Sequence, residues 1–456
     1  MSAVSRSALR GLRLCPKIPN CRKFSLTSHK ATDGVFRALT ESRVHTPWIE
    51  ALRNKERKGE DPSQPSGKPQ VSADRKLEPK KMSDSYHRVL TRTRLGTLFM
   101  DLDALSGVVA YKHTGDEVTT VTAACDRITI RNPLTEICDL EYSGRVTYAT
   151  GRSSMEITLQ VAKAPKEGEK VKDEDVLLHC SFTMVSLDPG TKRPVNVNAI
   201  VPETEEEKQL FALGEQNSKH RKELKTNSLI KHTPNDLESD LIHALWQKQL
   251  QYHDPMDPLR RPSNVYFMKD TKLQTANIMQ PQYRNRHHFM IFGGFLLKQT
   301  FELAFCCAAS FAHARPTFVS LDPSTFLNPV PVGSVLYLTA TVVYTDPPIV
   351  PAPDEQEQPN NNKYTRVQVR VDSKVRDVEH GVAKPTGQFN YTFTVNKDVK
   401  VMPETYTEFM MYVDARRRVK QVEASFADGD SGGGVTSSSV KGGEYVDPGE
   451  TARVTE

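Results

Sequence analysis

The sequence predicts an α+β fold made of two similar domains in tandem. Two blocks, residues 83–201 and 263–401, each contain one helical stretch followed by four or five strands. Both also contain an Asp followed by an Asn-Pro pair, first at Asp126 and Asn132-Pro133 and again 196 residues further on. This order is typical of a helix packed on an antiparallel sheet, and its recurrence predicts that the unit occurs twice.

The two blocks contain the same elements in the same order. The helical stretches are residues 96–111 and 292–307. Alternation of polar and apolar residues then predicts strands, which cover 143–161 and 180–185 in the first block and 334–344, 364–375 and 389–395 in the second.

The second helical stretch says most about how the domains are built. From Phe292 to Ala312 it is apolar on nearly every side, with Lys298, Gln299 and Glu302 as the main exceptions. A helix of this kind is buried on most sides, so we expect its own sheet to wrap it. One such unit leaves an apolar face open, and two units in one chain are expected to close these faces on each other.

The basic charge of the chain is concentrated at its N-terminus. The formal net charge of the 456 residues is +5, yet no acidic residue occurs before Asp33. Without the six basic residues of positions 1–24, 55 basic side chains face 56 acidic ones. The remaining chain is therefore close to neutral, and we expect no nucleic-acid partner.

Residues 1–24 have the composition of a mitochondrial presequence. Arg6, Arg10 and Arg13 recur at roughly helical spacing among leucines and serines, without a continuous apolar segment. This pattern favours a presequence over a secretory signal; the alternative is a disordered basic tail of a cytosolic protein. The seven cysteines show no CxxC spacing, which favours reduced thiols, and no uninterrupted apolar run predicts stable membrane insertion.

Polar segments separate the predicted domains. Residues 25–81 are interpreted as a mostly disordered linker and 202–262 as an inter-domain linker with a helix. Residues 346–363 form a Pro- and Asn-rich insertion loop in the second domain. Residues 402–456 are a C-terminal extension that we expect to be disordered after about 427.

The second helix also carries candidate catalytic groups. Gly293 and Gly294 stand at its start, where free backbone N–H groups favour the negative charge of an oxyanion; a tight turn is the alternative. Glu302 lies within the apolar helix, where desolvation would raise its pKa into the range of a general base. The alternative for Glu302 is a buried salt bridge between the repeats.

Gly294 and Glu302 are too far apart to act on one carbonyl. Eight residues of helix separate them, which is about 12 Å along the axis. Each would therefore work with groups from the other repeat or from another chain. The sequence thus predicts a site at the junction of the two repeats.

Other polar residues are weaker candidates. Arg152, Ser153 and Ser154 offer a cation and two hydroxyls that could contact phosphate, although a surface hairpin explains them as well. His287 and His288 have no neighbours at metal-ligand spacing, and nothing resembles a serine nucleophile elbow. We expect no metal site.

Four segments carry a resemblance to the mitochondrial acyl-coenzyme A thioesterase 9 family. They are Lys81-Met-Ser-Asp-Ser-Tyr86, Gly96-Thr-Leu-Phe-Met-Asp-Leu-Asp-Ala-Leu-Ser-Gly107, Gly151-Arg-Ser-Ser-Met-Glu156 and Arg284-Asn-Arg…Ile291-Phe-Gly-Gly-Phe-Leu296 with Glu302. The resemblance covers about residues 82–415. It implies two hotdog domains packed as an internal pseudo-dimer, hydrolysis of acyl-CoA, and no metal or redox cofactor. By motif position it also implies Asn285 as the loop amide and Glu302 as the helix acid.

The first repeat departs from the family pattern. Met100-Asp101 stands where Gly293-Gly294 stands, and Val109 falls at the position of Glu302. The stretch before the first helix is short, so the first repeat would lack the loop. Asp101 and Asp103 are further candidates for the site of Asn285, although no motif supports them.

These observations predict an acyl-CoA thioesterase of the mitochondrial matrix that forms a homo-oligomer. One alternative is an acyl-CoA-binding hotdog protein whose catalysis has decayed. Another is a hotdog enoyl-CoA hydratase, for which Asn285, His287 and His288 are a poor match. The domains would be residues 1–24 (presequence), 82–201 and 263–401 (the two hotdog domains), with the linkers between them.

Overall fold

A computed structural model of the chain describes most of the two repeats. The described residues are 80–81, 86–91, 95–132, 138–165, 171–226, 229, 231–253, 261–285, 290–351, 364–378 and 381–428. The predicted presequence, nearly all of the linker 25–81, the interior of the insertion loop, the tail after 428, and His287 and His288 lie outside these residues.

Each repeat consists of one long helix, a set of strands and a closing helix. The first contains β1 (Lys80–Lys81), β2 (Tyr86–Thr91), α1 (Leu95–Thr114), β3 (Thr119–Cys125), β4 (Ile128–Ile130), β5 (Asp139–Tyr148), β6 (Ser154–Lys163), β7 (Val176–Leu187), β8 (Ile200–Val201) and α2 (Glu205–Thr226). Helix α3 (Asp236–His253) leads into the second repeat. That repeat contains β9 (Val265–Phe267), β10 (Leu273–Ile278), α4 (Gly293–Ala312), β11 (Thr317–Leu321), β12 (Ser324–Phe326), β13 (Val335–Asp346), β14 (Thr365–Arg376), β15 (Ala383–Val395), β16 (Lys400–Met402) and α5 (Tyr406–Asp428).

One twelve-stranded sheet runs through both repeats. Its main path is β10-β13-β14-β15-β11-β4-β7-β6-β5-β2, with β3 and β12 beside the junction. The repeats join where β4 pairs with β11 and β3 with β12, all antiparallel. Ile128 faces Leu321 and Cys125 faces Ser324, and a shift of 196 residues converts one pair into the other. The duplicated sequence therefore folds as an internal pseudo-dimer.

The long helices α1 and α4 meet at the centre of this pseudo-dimer. The ring of Phe99 packs edge-on against that of Phe301, with centroids 5.2 Å apart. A Cβ added to Gly294 would lie 2.9 Å from the Cα of Met100, so glycine permits the close approach of the two helices. With one helix packed on an antiparallel sheet in each repeat, the fold is a tandem pair of hotdog domains, as predicted.

Helix α4 is the one described helix long and apolar enough to cross a membrane, judged by length and composition. In the structure 61% of its apolar window is buried. Tyr391 of β15, for example, shares a 2.7 Å hydrogen bond with Thr300 of the helix. The apolar character of α4 is therefore explained by its place in the core of the second domain.

The closing helices extend each repeat beyond the predicted domain boundaries. Arg221 of α2 binds Asp126 at 2.6 Å and the buried Glu156 at 2.9 Å, both in the first repeat. Arg418 of α5 binds Asp322 of the second repeat at 3.3 Å. Asp126 and Asp322 are 196 residues apart, so α2 and α5 hold matching positions and belong to the domains they close.

Candidate active site

A cavity of about 490 Å³ lies at the seam between the two hotdog domains. The first domain contributes one face of α1, strand β3 and the end of β7. The second contributes the loop before α4, the start of α4 and residues 326–330. A cavity of this size, mostly apolar with a few polar groups, is typical of a small-molecule site. The predicted location at the junction of the repeats is thus occupied by a cavity.

Asp103 is the carboxylate in this cavity. Its side chain is 2% exposed. The Thr122 hydroxyl donates to Oδ1 at 2.6 Å, and the Gly294 N–H donates to Oδ2 at 2.5 Å. Burial raises the pKa of Asp103 to about 6, while the two hydrogen bonds act in the opposite direction. Asp103 is therefore poised to change protonation state near neutral pH.

The two glycines at the start of α4 have different surroundings. Gly293 lines the cavity, and a Cβ added there would lie 3.0 Å from Oδ2 of Asp103. Its N–H is one of the first four of the helix, which have no intrahelical acceptor. The Gly294 N–H donates to Asp103, so in this arrangement it does not point to a substrate oxygen as predicted.

Asn285 reaches the same cavity from the second domain. Its backbone N–H donates to the carbonyl of Met290 at 2.8 Å. A bridge between Arg284 and Ile291 closes the loop, and both Asn285 and Ile291 line the cavity. Asp103 and Asn285 therefore share one cavity although they come from different domains. The catalytic role of Asn285 remains a prediction.

The predicted burial of Glu302 is wrong. Its side chain is 52% exposed, with Lys298 at 3.8 Å and Gln299 donating at 3.3 Å, and it does not line the cavity. Lys298, Glu302 and the exposed Cys306 follow each other at intervals of four residues, which places them on one stripe of the helix. The polar exceptions in α4 mark its solvent side.

The helix register explains why the acid belongs to the first domain. Both long helices begin with a residue followed or preceded by glycine, and Gly96 of α1 matches Gly294 of α4 as the second residue. Counting from these glycines, Asp103 corresponds to Phe301 and Glu302 to Ala104. The matches proposed from sequence, Met100-Asp101 with the glycine pair and Val109 with Glu302, are therefore wrong.

The second seam position lacks the parts present at the first. Fourteen residues separate β10 from α4, but only three separate β2 from α1, as the short lead-in of the first repeat predicts. The loop that carries Asn285 thus has no equivalent of similar length, and Phe301 stands where an acid would be needed. Among the described residues the chain has one seam cavity with both an acid and a loop amide.

The remaining sequence candidates lie elsewhere. The carbonyls of Arg152 and Ser153 accept N–H groups of Val197 and Ser186, at 3.1 and 2.8 Å, in a turn leading to β6. Neither these residues nor Ser154 lines the cavity, and phosphate binding by them stays a prediction. Within the described ranges no group of three His, Cys, Asp or Glu side chains could hold a metal ion.

Sequence reasoning left Asp103 without a role because no motif supported it. The argument applied to Glu302, an acid within an apolar helix, applies equally to Asp103 among Leu98, Leu102 and Leu105. The choice between the two acids depended on which side of each helix faced the seam.

Comparison with known proteins places the chain in a family. No protein-family model matches it. It is 33% identical over 353 residues to acyl-coenzyme A thioesterase 10, mitochondrial, of Mus musculus, covering 75% of this chain and 74% of that protein. It is 33% identical over 370 residues to acyl-coenzyme A thioesterase 9, mitochondrial, of Homo sapiens, covering 75% and 78%. A third relative is acyl-coenzyme A thioesterase 2, chloroplastic, of Humulus lupulus, 34% identical over 331 residues, covering 71% and 72%.

Solved structures give shorter or more distant matches. One is a putative oleoyl thioesterase from Lactobacillus plantarum, 10% identical with a TM-score of 0.38, covering 68% of this chain and 96% of that one. The fold itself defines the class, a protein with two hotdog domains in one chain. Within that class, the chain belongs to the family of the mitochondrial acyl-coenzyme A thioesterases 9 and 10.

Proposed function

We propose that this protein hydrolyses acyl-CoA thioesters to a free fatty acid and coenzyme A, and that it does so in the mitochondrial matrix. The names of its relatives support the reaction and the organelle. The observation that carries the proposal is the buried Asp103 carboxylate, which shares a seam cavity with Asn285.

Asp103 would act as the general base. A water molecule in the cavity gives a proton to the carboxylate while its oxygen forms a bond to the thioester carbon. The tetrahedral intermediate then breaks its C–S bond, and the sulfur leaves with the proton held by Asp103. A pKa of about 6 keeps this carboxyl ionised at neutral pH while leaving it more basic than a solvated Asp.

Two donors would stabilise the negative oxygen of the intermediate. The side-chain amide of Asn285 can donate into the cavity from the loop, and the N–H of Gly293 lies at the start of α4. Free amides at a helix N-terminus favour negative charge, and such donors commonly contribute about a hundredfold or more to acyl-transfer rates. These roles for Asn285 and Gly293 belong to the proposal.

Paired substitutions of the two acids test the assignment. With a thiol reagent and an acyl-CoA substrate, Asp103→Asn is expected to lower kcat by roughly 10²- to 10⁴-fold. Glu302→Gln serves as the matched control and is expected to stay close to the rate of the unmodified protein. Full activity of Asp103→Asn together with loss in Glu302→Gln would transfer the role back to Glu302.

The same protein distinguishes the non-catalytic alternative. A binding protein with decayed catalysis would bind acyl-CoA in calorimetry and release no thiol at any chain length. A hydratase would consume enoyl-CoA without releasing thiol. Thiol release that depends on Asp103 would contradict both alternatives.

We also propose assembly into a homo-oligomer. Within the described residues, β2 and β10 end the large sheet, and Ile278 on β10 is 62% exposed. Open edges of this kind favour association with other chains. Light scattering coupled to gel filtration is expected to give a multiple of the chain mass, and a monomer at micromolar concentration would contradict the proposal.

A further inference from the structure

The seam cavity has a direction. Asp103 lies beside Thr122 of β3, and residues 107 and 111 of α1 follow it along the cavity wall. Eight residues of helix from Asp103 to Tyr111 span about 12 Å. Four residues of strand from Thr122 back to Val118 span about 13 Å. Helix and strand thus form a groove of matching length that leads away from the carboxylate.

Gly107 keeps this groove open. It lies within α1, where glycine is about 1 kcal/mol less favourable than alanine. A Cβ added there would have no heavy atom within 4 Å, and its φ is not in the left-handed region. Neither packing nor backbone conformation therefore requires glycine. What the missing side chain leaves is empty space in the cavity that Gly107 lines.

Lys192 stands at the far end of the groove. Leu187, which pairs with Thr119 of β3, leads into the turn that carries it. The buried Asp188 carboxylate holds this turn by accepting the N–H groups of Gly190 and Thr191 at 2.8 and 2.6 Å. Lys192 itself has a φ of 57°, which a non-glycine residue rarely adopts. Of the described residues that line the cavity, it is the one with a cationic side chain.

The surroundings of this turn add positive charge. Arg193 and Arg152 are both exposed, and the carbonyl of Arg152 accepts the N–H of Val197, which follows the turn. The predicted phosphate contact around Arg152 therefore lies next to the Lys192 turn rather than inside the cavity. Phosphate groups bind most strongly where such cations gather.

We infer from this geometry how coenzyme A lies in the site, given the proposed function. The thioester is at Asp103, the pantetheine arm follows α1 past Gly107, and the phosphates bind at Lys192. The acyl chain then extends to the opposite side, against Phe292, Leu296 and Val330. An acyl chain would gain nothing from a lysine at its end, whereas the anionic end of coenzyme A requires one.

Two substrates with the same acyl group test this orientation, namely an acyl-CoA and the corresponding acyl-pantetheine, which lacks the phosphates. Lys192→Ala is expected to raise KM for acyl-CoA at least tenfold, the loss of one charged contact of about 1.5 kcal/mol or more, and to leave acyl-pantetheine unchanged. Lys208→Ala, on the exposed side of α2, is the matched control. An equal effect of Lys192→Ala on both substrates would overturn the inference.

Gly107→Leu tests the path of the arm. Filling the groove is expected to lower kcat/KM for both substrates by the same factor at every acyl length, with Gly107→Ala and thermal unfolding as controls for folding. Selective loss of long acyl chains would place the acyl chain in this groove instead. Binding of free coenzyme A in calorimetry repeats the comparison without turnover, so a protein that hydrolyses nothing would disprove the proposed function while still testing the orientation.

Discussion

The carboxylate of Asp103 accepts the backbone N–H of Gly294 at 2.5 Å, across 191 residues of sequence and between two domains. This bond places an acid of the first domain at the positive end of a helix of the second. It also links the formation of the site to the closure of the seam. The following predictions depend on this arrangement.

The activity and the stability of the protein should depend on pH in opposite senses through Asp103. As the pH rises through about 6, ionisation of the base is expected to raise kcat/KM. The pKa of Asp103 is higher in the folded state than its usual 3.8, so the folded state binds this proton more tightly. The contribution to stability is therefore greatest below pH 4 and falls by about 3 kcal/mol as the pH rises through 6.

Asp103→Asn provides the comparison, because it removes the titrating group. Urea unfolding of both proteins between pH 4 and 8 is expected to give a stability difference that changes over pH 4–6 and is constant above 7. A difference independent of pH would mean that the carboxyl of Asp103 titrates normally.

Thr122→Val should shift the pH profile of activity upward. The Thr122 hydroxyl stabilises the ionised carboxylate by a 2.6 Å hydrogen bond, and valine has a similar shape but no donor. We expect a higher apparent pKa, lower activity at pH 6–7, and recovery at higher pH. Thr120→Val is the control, since Thr120 lines the cavity but bonds with Ser186. A profile that moves equally in both variants would speak against Asp103 as the titrating group.

Gly294→Ala should destabilise the seam. The new Cβ would lie 2.9 Å from the Cα of Met100, so α1 and α4 must separate, at a cost of about 1–3 kcal/mol. Gly107→Ala is the matched control, since its Cβ meets no heavy atom within 4 Å and alanine favours helix by up to about 1 kcal/mol. Equal stability of the two variants in urea would show that the helices do not approach closely.

Loss of Arg221 should release α2 from the first domain. Arg221 pairs with Asp126 and with Glu156, which is 2% exposed. Arg221→Met would leave two acids without this partner, and we expect a loss of about 3–5 kcal/mol in the free energy of unfolding. Lys219→Met, on the same helix in an exposed pair with Glu215, should change little. Similar unfolding of both variants would mean that α2 is a linker, as its polar sequence predicts.

Much of the fold could be predicted because it repeats locally. The offset between Asp126 and Asp322 gave the duplication, and the apolar run of α4 gave a core helix. The closing helices α2 and α5 were not assigned to the domains because their sequences are highly polar. Their attachment depends on buried ion pairs such as that of Arg221 with Glu156, and such pairs join residues far apart in sequence.

The sequence by itself determined two helix-and-sheet units, a site between them, and Asn285 and Gly293 on the loop and helix that border it. These features depend on periodicity and spacing, which are properties of neighbouring residues. Only the tertiary structure decided between Glu302 and Asp103. The exposure of an acid on a helix depends on how that helix is rotated against its sheet, and this rotation is set by contacts such as Phe99 with Phe301 and Gly294 with Met100, which bring together distant parts of the chain.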